Sequence, residues 1–326
     1  MKISQKKVNG TPYYYAADSI YINRGKTVAK MRSLGSVKAG VNLGIKKQEF
    51  EEFLIQEEAE QRSLYWKPYA GRGFLKFMNI KKLETLRAKL FRLKKNMGTI
   101  GNLAMETAFL ADFIYNSNKI EGSRVSRESI EDMVRYANGD KIVEVENTMK
   151  AIQCLGQKKF VFNFKSIEDL HDILLAHEPE NLKYRTIDGI IVGNAPVSAA
   201  KDIKEELTEL LAWNKKQNYH MYPLEQAFTF YYRFERIHPF KDGNGRTGRL
   251  LMNEILKLHK YHPIIIWDSQ RRAHLNAFEK AMDGKNHSFF TFMEEQFTKT
   301  YDVYLEKIEK AYNFDEQYKY FLKPSK

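Results

Sequence analysis

The 326-residue sequence contains a single cysteine and no long apolar run. With only Cys154, an intramolecular disulfide is excluded. The longest apolar clusters, such as the one that begins at Pro263, are far too short to span a bilayer. The first ten residues hold no apolar segment of the kind found in a secretory signal. These absences predict a cytoplasmic protein without a membrane segment.

Acidic residues are scarce in the first 48 positions, where Asp18 stands alone against ten lysines and arginines. This segment therefore holds +9 of the formal +12 of the chain, and the remaining 278 residues hold +3. A local excess of positive charge is typical of contact with nucleic acid. The charge leaves two interpretations open for residues 1–48: a nucleic-acid partner, or a solvated hairpin or protein-docking module.

The same segment has the pattern of β-strands, because a hairpin signal at Asn9 and Gly10 is followed by a run rich in aromatic and β-branched residues. From about Lys46 onward, apolar residues recur at helical spacing, with short breaks at glycine and proline. The sequence thus predicts four parts: a small basic β module at 1–48, a helical connector at 49–100, a mainly α-helical domain at 101–300 and a C-terminal helical extension at 301–326.

The stretch HPFKDGNGRTGRL, from His238 to Leu250, concentrates residues that carry chemistry. Helical spacing of apolar residues on both sides predicts that it joins two core helices. Its GNG triplet, residues 243–245, falls at the start of the second helix, where bent backbone amides and the helix dipole attract an anion. Arg246 and Arg249 are three residues apart, which predicts two guanidinium groups aimed at one polyphosphate.

A P-loop is the competing interpretation, because the residues from Gly243 to Leu250 fit G-x-x-x-x-G. A Walker A loop requires Lys and then Ser or Thr, after a strand, whereas this chain has Arg249 and Leu250 after a predicted helix. Asp242 is instead the candidate Mg²⁺ ligand, and His238, one turn earlier, is the candidate base. A base beside a metal-bound polyphosphate indicates attack of a hydroxyl on phosphorus.

These residues resemble the Fic motif, H-x-F-x-D/E-G-N-G-R-x-x-R, at each of its eight defined positions: His238, Phe240, Asp242, Gly243, Asn244, Gly245, Arg246 and Arg249. The resemblance covers roughly residues 70–300. It implies the fold of that family, which is mainly α, with a helical bundle and a small β-hairpin flap, here preceded by the N-terminal β module.

The resemblance implies transfer of AMP from ATP to a serine, threonine or tyrosine hydroxyl of a target protein or of the protein itself, with Mg²⁺. Two alternatives stay open: removal of AMP from modified proteins, and a nucleic-acid-binding regulator that uses residues 1–48. A homo-oligomer also stays open.

The resemblance further implies a role for each motif residue. His238 is implied to be the general base and Asp242 the Mg²⁺ ligand, whereas Phe240 is expected to pack in the core. Arg246 is expected to clamp the phosphates, and Arg249 is expected to contact the γ-phosphate. The full set of expected ATP contacts is Gly243, Asn244, Gly245, Arg246, Thr247, Gly248, Arg249, Val192, Gly193, Asn194 and Ala195.

A second stretch, SNKIEG at residues 117–122, is similar to the inhibitory motif S/T-x-x-x-E-G/N of many Fic proteins. The preceding apolar spacing predicts a helix over residues 101–121, closed by the glycine that follows it. The resemblance implies that Ser117 and Glu121 are inhibitory. The Glu121 carboxylate is expected to reach Arg249 and occupy the place of the γ-phosphate.

A third stretch, YRTIDGIIVGNAPV at residues 184–197, resembles the β-hairpin flap of the family. An extended edge can hold a target segment by main-chain hydrogen bonds, which would set its hydroxyl near His238 without demanding a fixed target sequence. The flap residues expected to bind the target are Ile187, Asp188, Gly189, Ile190 and Ile191.

Overall fold

The computed structural model describes residues 1–23, 25–69, 79–136, 142–157, 160–181, 183–218 and 220–321. The chain divides into two compact units, of which the first comprises Met1–Pro68 and Met78–Asn96. Within the described part of the chain, no helix is both long and apolar enough to cross a membrane.

The first unit opens with an antiparallel meander of three strands, β1 (Lys2–Val8), β2 (Thr11–Asn23) and β3 (Lys26–Ser36). Asn9 and Gly10, which join β1 to β2, both have positive φ angles, of 48° and 77°. Two left-handed residues are what a two-residue hairpin turn requires. The predicted β module is therefore confirmed. Arg24, in the second predicted turn, lies outside the described residues.

One face of this meander packs on helix α1 (Leu43–Trp66), and α1 packs on α2 (Ile80–Asn96). Alternate residues of β2 point to the same face of the sheet, so they supply one side of the core. The buried members of this core are Ala16, Ile20, Ile22, Leu34, Phe50 and Leu54. The sheet therefore shares its core with α1, most of which falls in the helical connector predicted at residues 49–100.

The second unit is built from helices. Their bounds are α3 (Thr99–Ile120), α4 (Arg127–Tyr136), α5 (Val143–Gln157), α6 (Phe164–Leu174), α7 (Ile203–Gln217), α8 (Pro223–Ile237), α9 (Asn244–Leu258), α10 (Arg271–Met282) and α11 (Asn286–Phe321). Two short antiparallel strands, β4 (Ile191–Val192) and β5 (Ala195–Pro196), form the hairpin between α6 and α7. The predicted fold class, mainly α with a small hairpin, is confirmed.

Helices α8 and α9 lie against each other in the core of this unit. Phe228 and Phe234 on α8, and Leu251 and Ile255 on α9, have no exposed surface. Helices that are buried on nearly all sides hold their ends rigidly, because a packed interior resists displacement. The loop between them is therefore anchored at both ends.

Helix α3 ends as the sequence predicts, with Gly122 just past its last turn at a φ of 99°. The N–H of Ser123 donates to the carbonyl of Asn118 at 3.1 Å, the closure expected for a left-handed glycine at a helix end. Helix α11 runs without a break past residue 300, and Tyr301 is completely buried. Residues 322–326 of the predicted C-terminal extension lie outside the described residues.

Candidate active site

Two left-handed residues shape the loop between α8 and α9. His238 ends α8 with a φ of 49°, and its backbone N–H donates to the carbonyl of Phe234 at 2.9 Å. Gly243 precedes α9 with a φ of 72°, and a β-carbon there would lie 2.5 Å from Cδ2 of Leu175. A residue other than glycine is uncommon at positive φ, and such strain clusters at functional sites. His238 is held in such a conformation.

The side chain of Asn244 fixes the interior of the loop. Its amide oxygen accepts from the N–H of Phe240 at 2.9 Å, and its amide nitrogen donates to the Phe240 carbonyl at 2.9 Å. The Phe240 ring stacks on His171, with centroids 3.7 Å apart, and faces Tyr184 on another side. Phe240 is thus a core residue, as expected. The Asn244 side chain holds the loop, and its backbone N–H is at the start of α9.

Glycines along the first turns of α9 permit close approach from two sides. A β-carbon on Gly245 would lie 2.2 Å from Oε1 of Glu121, so the glycine lets that carboxylate approach the helix in its present position. A β-carbon on Gly248 would lie 3.1 Å from Oε1 of Glu235 on α8. Of the predicted ATP contacts, Gly248 therefore packs toward α8, and Thr247 beside it has no exposed surface.

Asp242 and Arg246 stand together at the beginning of α9. Oδ1 of Asp242 accepts from the N–H of Gly243 at 2.6 Å, and Oδ2 lies 3.4 Å from Nη2 of Arg246. The Asp242 side chain is 48% exposed, whereas that of Arg246 is 8% exposed. The loop therefore presents a carboxylate to solvent next to a largely buried guanidinium.

Glu121 and Ser117 of the second motif meet Arg249 of the first, across 128 and 132 residues of sequence. Nη2 of Arg249 donates to Oε1 of Glu121 at 2.7 Å, and Nε donates to the Ser117 hydroxyl at 3.0 Å. Nη2 also donates to the Ser117 backbone carbonyl at 2.9 Å. Burial by itself would lower the pKa of the Arg249 guanidinium, but Glu121 raises it above its ordinary value. The predicted contact between Glu121 and Arg249 is present.

His238 carries a neutral ring at neutral pH. Burial lowers the pKa of this imidazole to about 4, and the positive charge of Arg185 adds to the shift. Its side chain is 17% exposed, and its Nδ1 atom is buried. A neutral, partly accessible imidazole can accept a proton from a hydroxyl group.

Two buried residues beside His238 were missed in the sequence. Arg185 donates to the backbone carbonyls of His238, Ile187 and Ile237 at 2.7, 2.9 and 3.1 Å, and also to that of Ser198. Glu235 lies on α8 with 5% of its surface exposed. For Glu235 the sequence did contain a signal, because this charged residue lies between Phe234 and Ile237 on a helix whose apolar pattern is otherwise that of a core helix.

The hairpin is held at its tip by α10. Oε1 of Glu279 accepts from the backbone N–H of Asn194 at 2.8 Å and from its side-chain amide at 3.1 Å. The flap edge is open, because Ile187 and Ile191 are 58% and 61% exposed. The residues Val192, Gly193, Asn194 and Ala195 form the turn and adjoining strands. Asp188, Gly189 and Ile190 lie before the hairpin in a segment without regular secondary structure, where Gly189 has a φ of 80°.

The donor set at this site is poor in metal ligands. Among the described residues, no group of three or more histidines, cysteines or acids could hold a metal ion. Mg²⁺ usually keeps several waters and takes one or two protein carboxylates together with substrate phosphates. The half-exposed carboxylate of Asp242 fits a Mg²⁺ ion that arrives with a nucleotide.

Residues 161–256 match the model of the Fic/DOC family. The curated relatives include the "Protein adenylyltransferase Fic" of Aedes aegypti, 30% identical over 241 residues, and that of Drosophila melanogaster, 29% identical over 238 residues. Each alignment covers 69% of this chain and 48% of the relative. The chain therefore spans about half the length of the curated relatives it matches.

Solved structures show the same fold. A Fic-domain-containing signalling protein from Bacteroides thetaiotaomicron superposes with a TM-score of 0.62 at 19% identity, covering 70% of this chain and 98% of that one. Fic-1 from C. elegans superposes with a TM-score of 0.59 at 20% identity, covering 82% of this chain and 87% of that one. At these identities the structures support the fold alone.

Proposed function

Because this chain belongs to the Fic family, we propose that it is a protein adenylyltransferase, which transfers AMP from ATP to a hydroxyl of a target protein or of itself. One observation carries the proposal: the neutral imidazole of His238 directly precedes the anion-attracting start of α9, where Arg246 and Arg249 lie. A proton acceptor beside a phosphate cradle is what hydroxyl attack on a phosphoryl group needs.

The reaction follows from the chemistry of these groups. The target hydroxyl gives its proton to the His238 imidazole while its oxygen forms a bond to the α-phosphorus of ATP. The bond from that phosphorus to the bridging oxygen breaks, and pyrophosphate leaves with the electron pair. Because burial keeps the pKa of His238 near 4, the ring is uncharged at neutral pH, as a proton acceptor must be.

The start of α9 would bind the triphosphate. Backbone amides of residues 243–245 would face the α- and β-phosphates, with the helix dipole adding to the attraction. Arg246 would clamp the phosphates and Arg249 would contact the γ-phosphate. Asp242 would hold Mg²⁺, which neutralises phosphate charge when bound. Residues 192–195 of the hairpin would border the nucleotide, and residues 187–191 would hold the target segment.

Labelling with radioactive ATP tests this function. We expect the Glu121→Gly variant to label itself or proteins of a cell lysate with α-labelled ATP and not with γ-labelled ATP, since AMP and not phosphate is transferred. His238→Ala in the same background should lose label by about 10² to 10⁴ in rate, the usual contribution of a general base. Label from γ-labelled ATP alone would indicate phosphoryl transfer instead. Undiminished labelling by His238→Ala would show that His238 is not the general base.

Glu121 would inhibit this activity from the place of the γ-phosphate. Its charge-assisted hydrogen bond to Arg249 must be displaced before the triphosphate can bind fully, and such bonds contribute about 1.5 to 3 kcal/mol. Glu121→Gly should therefore raise the labelling rate roughly ten- to hundredfold. Adding Arg249→Ala should abolish the gain. A stimulated double variant would show that the gain came from a loosened helix.

Removal of AMP is the alternative use of the same site, because the Glu121 carboxylate could orient a water molecule. Incubation of AMP-labelled protein with the parent chain and with Glu121→Gly separates the two. Release of AMP by the parent alone would favour demodification.

Binding of nucleic acid is a second candidate function, favoured by where the charge lies. The first unit contains 19 lysines and arginines against 8 acids, so it holds +11 of the +12 of the chain. On the sheet face opposite to α1, exposed Lys6 lies 5.5 Å from the ring centroid of Tyr15, and exposed Lys2 lies on the same face. Lysines with tyrosines on an open sheet suit phosphates and stacked bases.

A salt titration of nucleic-acid binding tests this candidate. Lys2→Glu with Lys6→Glu should weaken binding and lower the slope of log affinity against log salt by about 0.9 for each lost phosphate contact. Substitutions are used in place of a deletion of residues 1–48, because these residues share a core with α1 and their removal would disrupt it. The matched control makes the same lysine-to-glutamate change at two exposed lysines of the second unit, Lys150 and Lys165. Equal slopes in the two doubly substituted proteins would contradict a specific face.

A further inference from the structure

Glu235 is a buried acid that the proposed reaction does not yet use. Its Oε2 lies 3.9 Å from Nδ1 of His238, one helical turn later, and its surface is 5% exposed. Among the described residues, neither Nδ1 of His238 nor Oε1 of Glu235 has a hydrogen-bond partner. A buried polar atom without a partner is costly and calls for an explanation. Here two such atoms belong to facing side chains.

We propose that Glu235 is a positioning residue for the transfer reaction: Nδ1–H of His238 donates to its ionised carboxylate, which leaves Nε2 free to take the proton of the target hydroxyl. The inference rests on His238 being the base. The hydrogen bond at one ring nitrogen decides which nitrogen carries the proton. Because Nδ1 is buried against Glu235, the exposed part of the side chain, 17% of its surface, is available to the reacting hydroxyl.

The hydrogen bond from His238 to Glu235 requires an ionised carboxylate, so whether it forms depends on pH. Burial, together with the negative charge of Glu121, raises the pKa of Glu235 to about 8, although the positive charge of Arg249 opposes the shift. At pH 7 the carboxyl group therefore holds its proton and can only donate to Nδ1 across the 3.9 Å gap, which leaves the ring proton on Nε2. Above pH 8 the carboxylate can accept Nδ1–H, and it can stabilise the imidazolium that forms when Nε2 takes the second proton.

The groups that face this pair come from four elements. Tyr231 and Glu235 are on α8, Arg249 is on α9, Glu121 ends α3, and Arg185 precedes the hairpin. Asp242 acts on His238 from the loop, and the backbone carbonyl of Glu235 is a competing acceptor for the ring. Since Glu121 raises the pKa of Glu235, loss of Glu121 should shift the change to lower pH.

Nuclear magnetic resonance of the isolated protein tests the pair without any transfer assay. Two-bond ¹H–¹⁵N spectra report the tautomer of each of the eight histidines, and His238→Ala identifies the relevant signal. We expect the parent chain to change from the Nε2–H to the Nδ1–H tautomer as pH rises through about 8. Glu235→Gln should show no change near that pH. The control Glu254→Gln, another buried acid, on α9, should behave as the parent does.

A second variant keeps the proposal falsifiable if Glu235→Gln fails to fold. Glu121→Gln leaves Glu235 in place, and the tautomer change should then occur at lower pH. Identical tautomers in the parent and Glu235→Gln across the pH range would overturn the proposal and make the Glu235 carbonyl the acceptor. An unmoved midpoint in Glu121→Gln would overturn it as well.

Kinetics supply the functional readout. In the Glu121→Gly background, Glu235→Gln should lower kcat roughly 10- to 100-fold, below the full effect of a lost base, and leave the KM for ATP within about twofold. A raised KM with unchanged kcat would mean that Glu235 only supports the nucleotide site. If no variant transfers AMP, the proposed function fails, whereas the tautomer measurement still decides the role of Glu235.

Discussion

At the scale of single residues, Asp242 combines two tasks that substitution can separate. Its Oδ1 holds the turn through Gly243, while its half-exposed carboxylate is the proposed Mg²⁺ ligand. An asparagine keeps the acceptor for the Gly243 N–H and removes the charge. Asp242→Asn therefore tests the role of the charge separately from the role in the turn.

We predict that Asp242→Asn raises the Mg²⁺ concentration needed for half-maximal labelling by at least about tenfold, the lower end of what loss of a residue supporting a metal site costs. Excess Mg²⁺ should restore part of the rate. The titration is compared with that of Asp169→Asn, an exposed acid on α6. An unchanged Mg²⁺ titration would assign Asp242 to the turn alone.

At the scale of elements, the hairpin and the end of α8 are joined by the side chain of Arg185. This residue is 2% exposed and donates to carbonyls on both segments. A guanidinium can serve several carbonyls at once because it presents five donors in one plane. The position of the hairpin is therefore coupled to that of His238.

We predict that Arg185→Met, which keeps much of the length and loses every donor, lowers the free energy of unfolding by about 3 kcal/mol or more, since each buried carbonyl left without a donor costs about 1 to 3 kcal/mol. The pKa of His238 should rise, because Arg185 lowers it in the parent. Urea unfolding and the His238 titration measure the two effects. Arg272→Met, an exposed position on α10, is the control, and similar results for the two would contradict the coupling.

At the scale of the whole molecule, the first unit has a core of its own. Ile20 on β2 is completely buried there, against Ala16 and the α1 residues Phe50 and Leu54. The residues that we propose carry out the transfer all belong to the second unit. Stability and transfer can therefore be perturbed separately.

We predict that Ile20→Ala destabilises the first unit by about 2 to 5 kcal/mol, the usual cost of such a cavity. Hydrogen exchange should accelerate in peptides from residues 1–68, while the labelling rate of the Glu121→Gly background stays within about twofold. Leu251→Ala, at a buried position on α9, should instead accelerate exchange in the second unit and lower the labelling rate, while exchange in residues 1–68 stays unchanged. Equal loss of protection in both units after Ile20→Ala would show that they unfold together.

Much of the fold could be read from local pattern. The hairpin at Asn9 and Gly10, the left-handed Gly122 and the buried helices around the Fic motif each follow from residue types and their spacing. The hairpin turn and the helix end depend on interactions within a few residues, and the helices follow from the spacing of apolar residues along the chain. The family resemblance had the same origin, since its eight defined positions lie within twelve residues.

The sequence by itself thus determined the class of fold, the proposed phosphate-binding loop and the candidate base. Only the tertiary structure decided that Arg185 and Glu235 flank His238, that the Asn244 side chain is engaged with Phe240, and that the sheet shares a core with α1. Burial and distance between helices set these contacts and the pKa values of about 4 and 8 that accompany them. The order of residues along the chain does not show which distant side chains will bury one another, and burial is what shifts these pKa values.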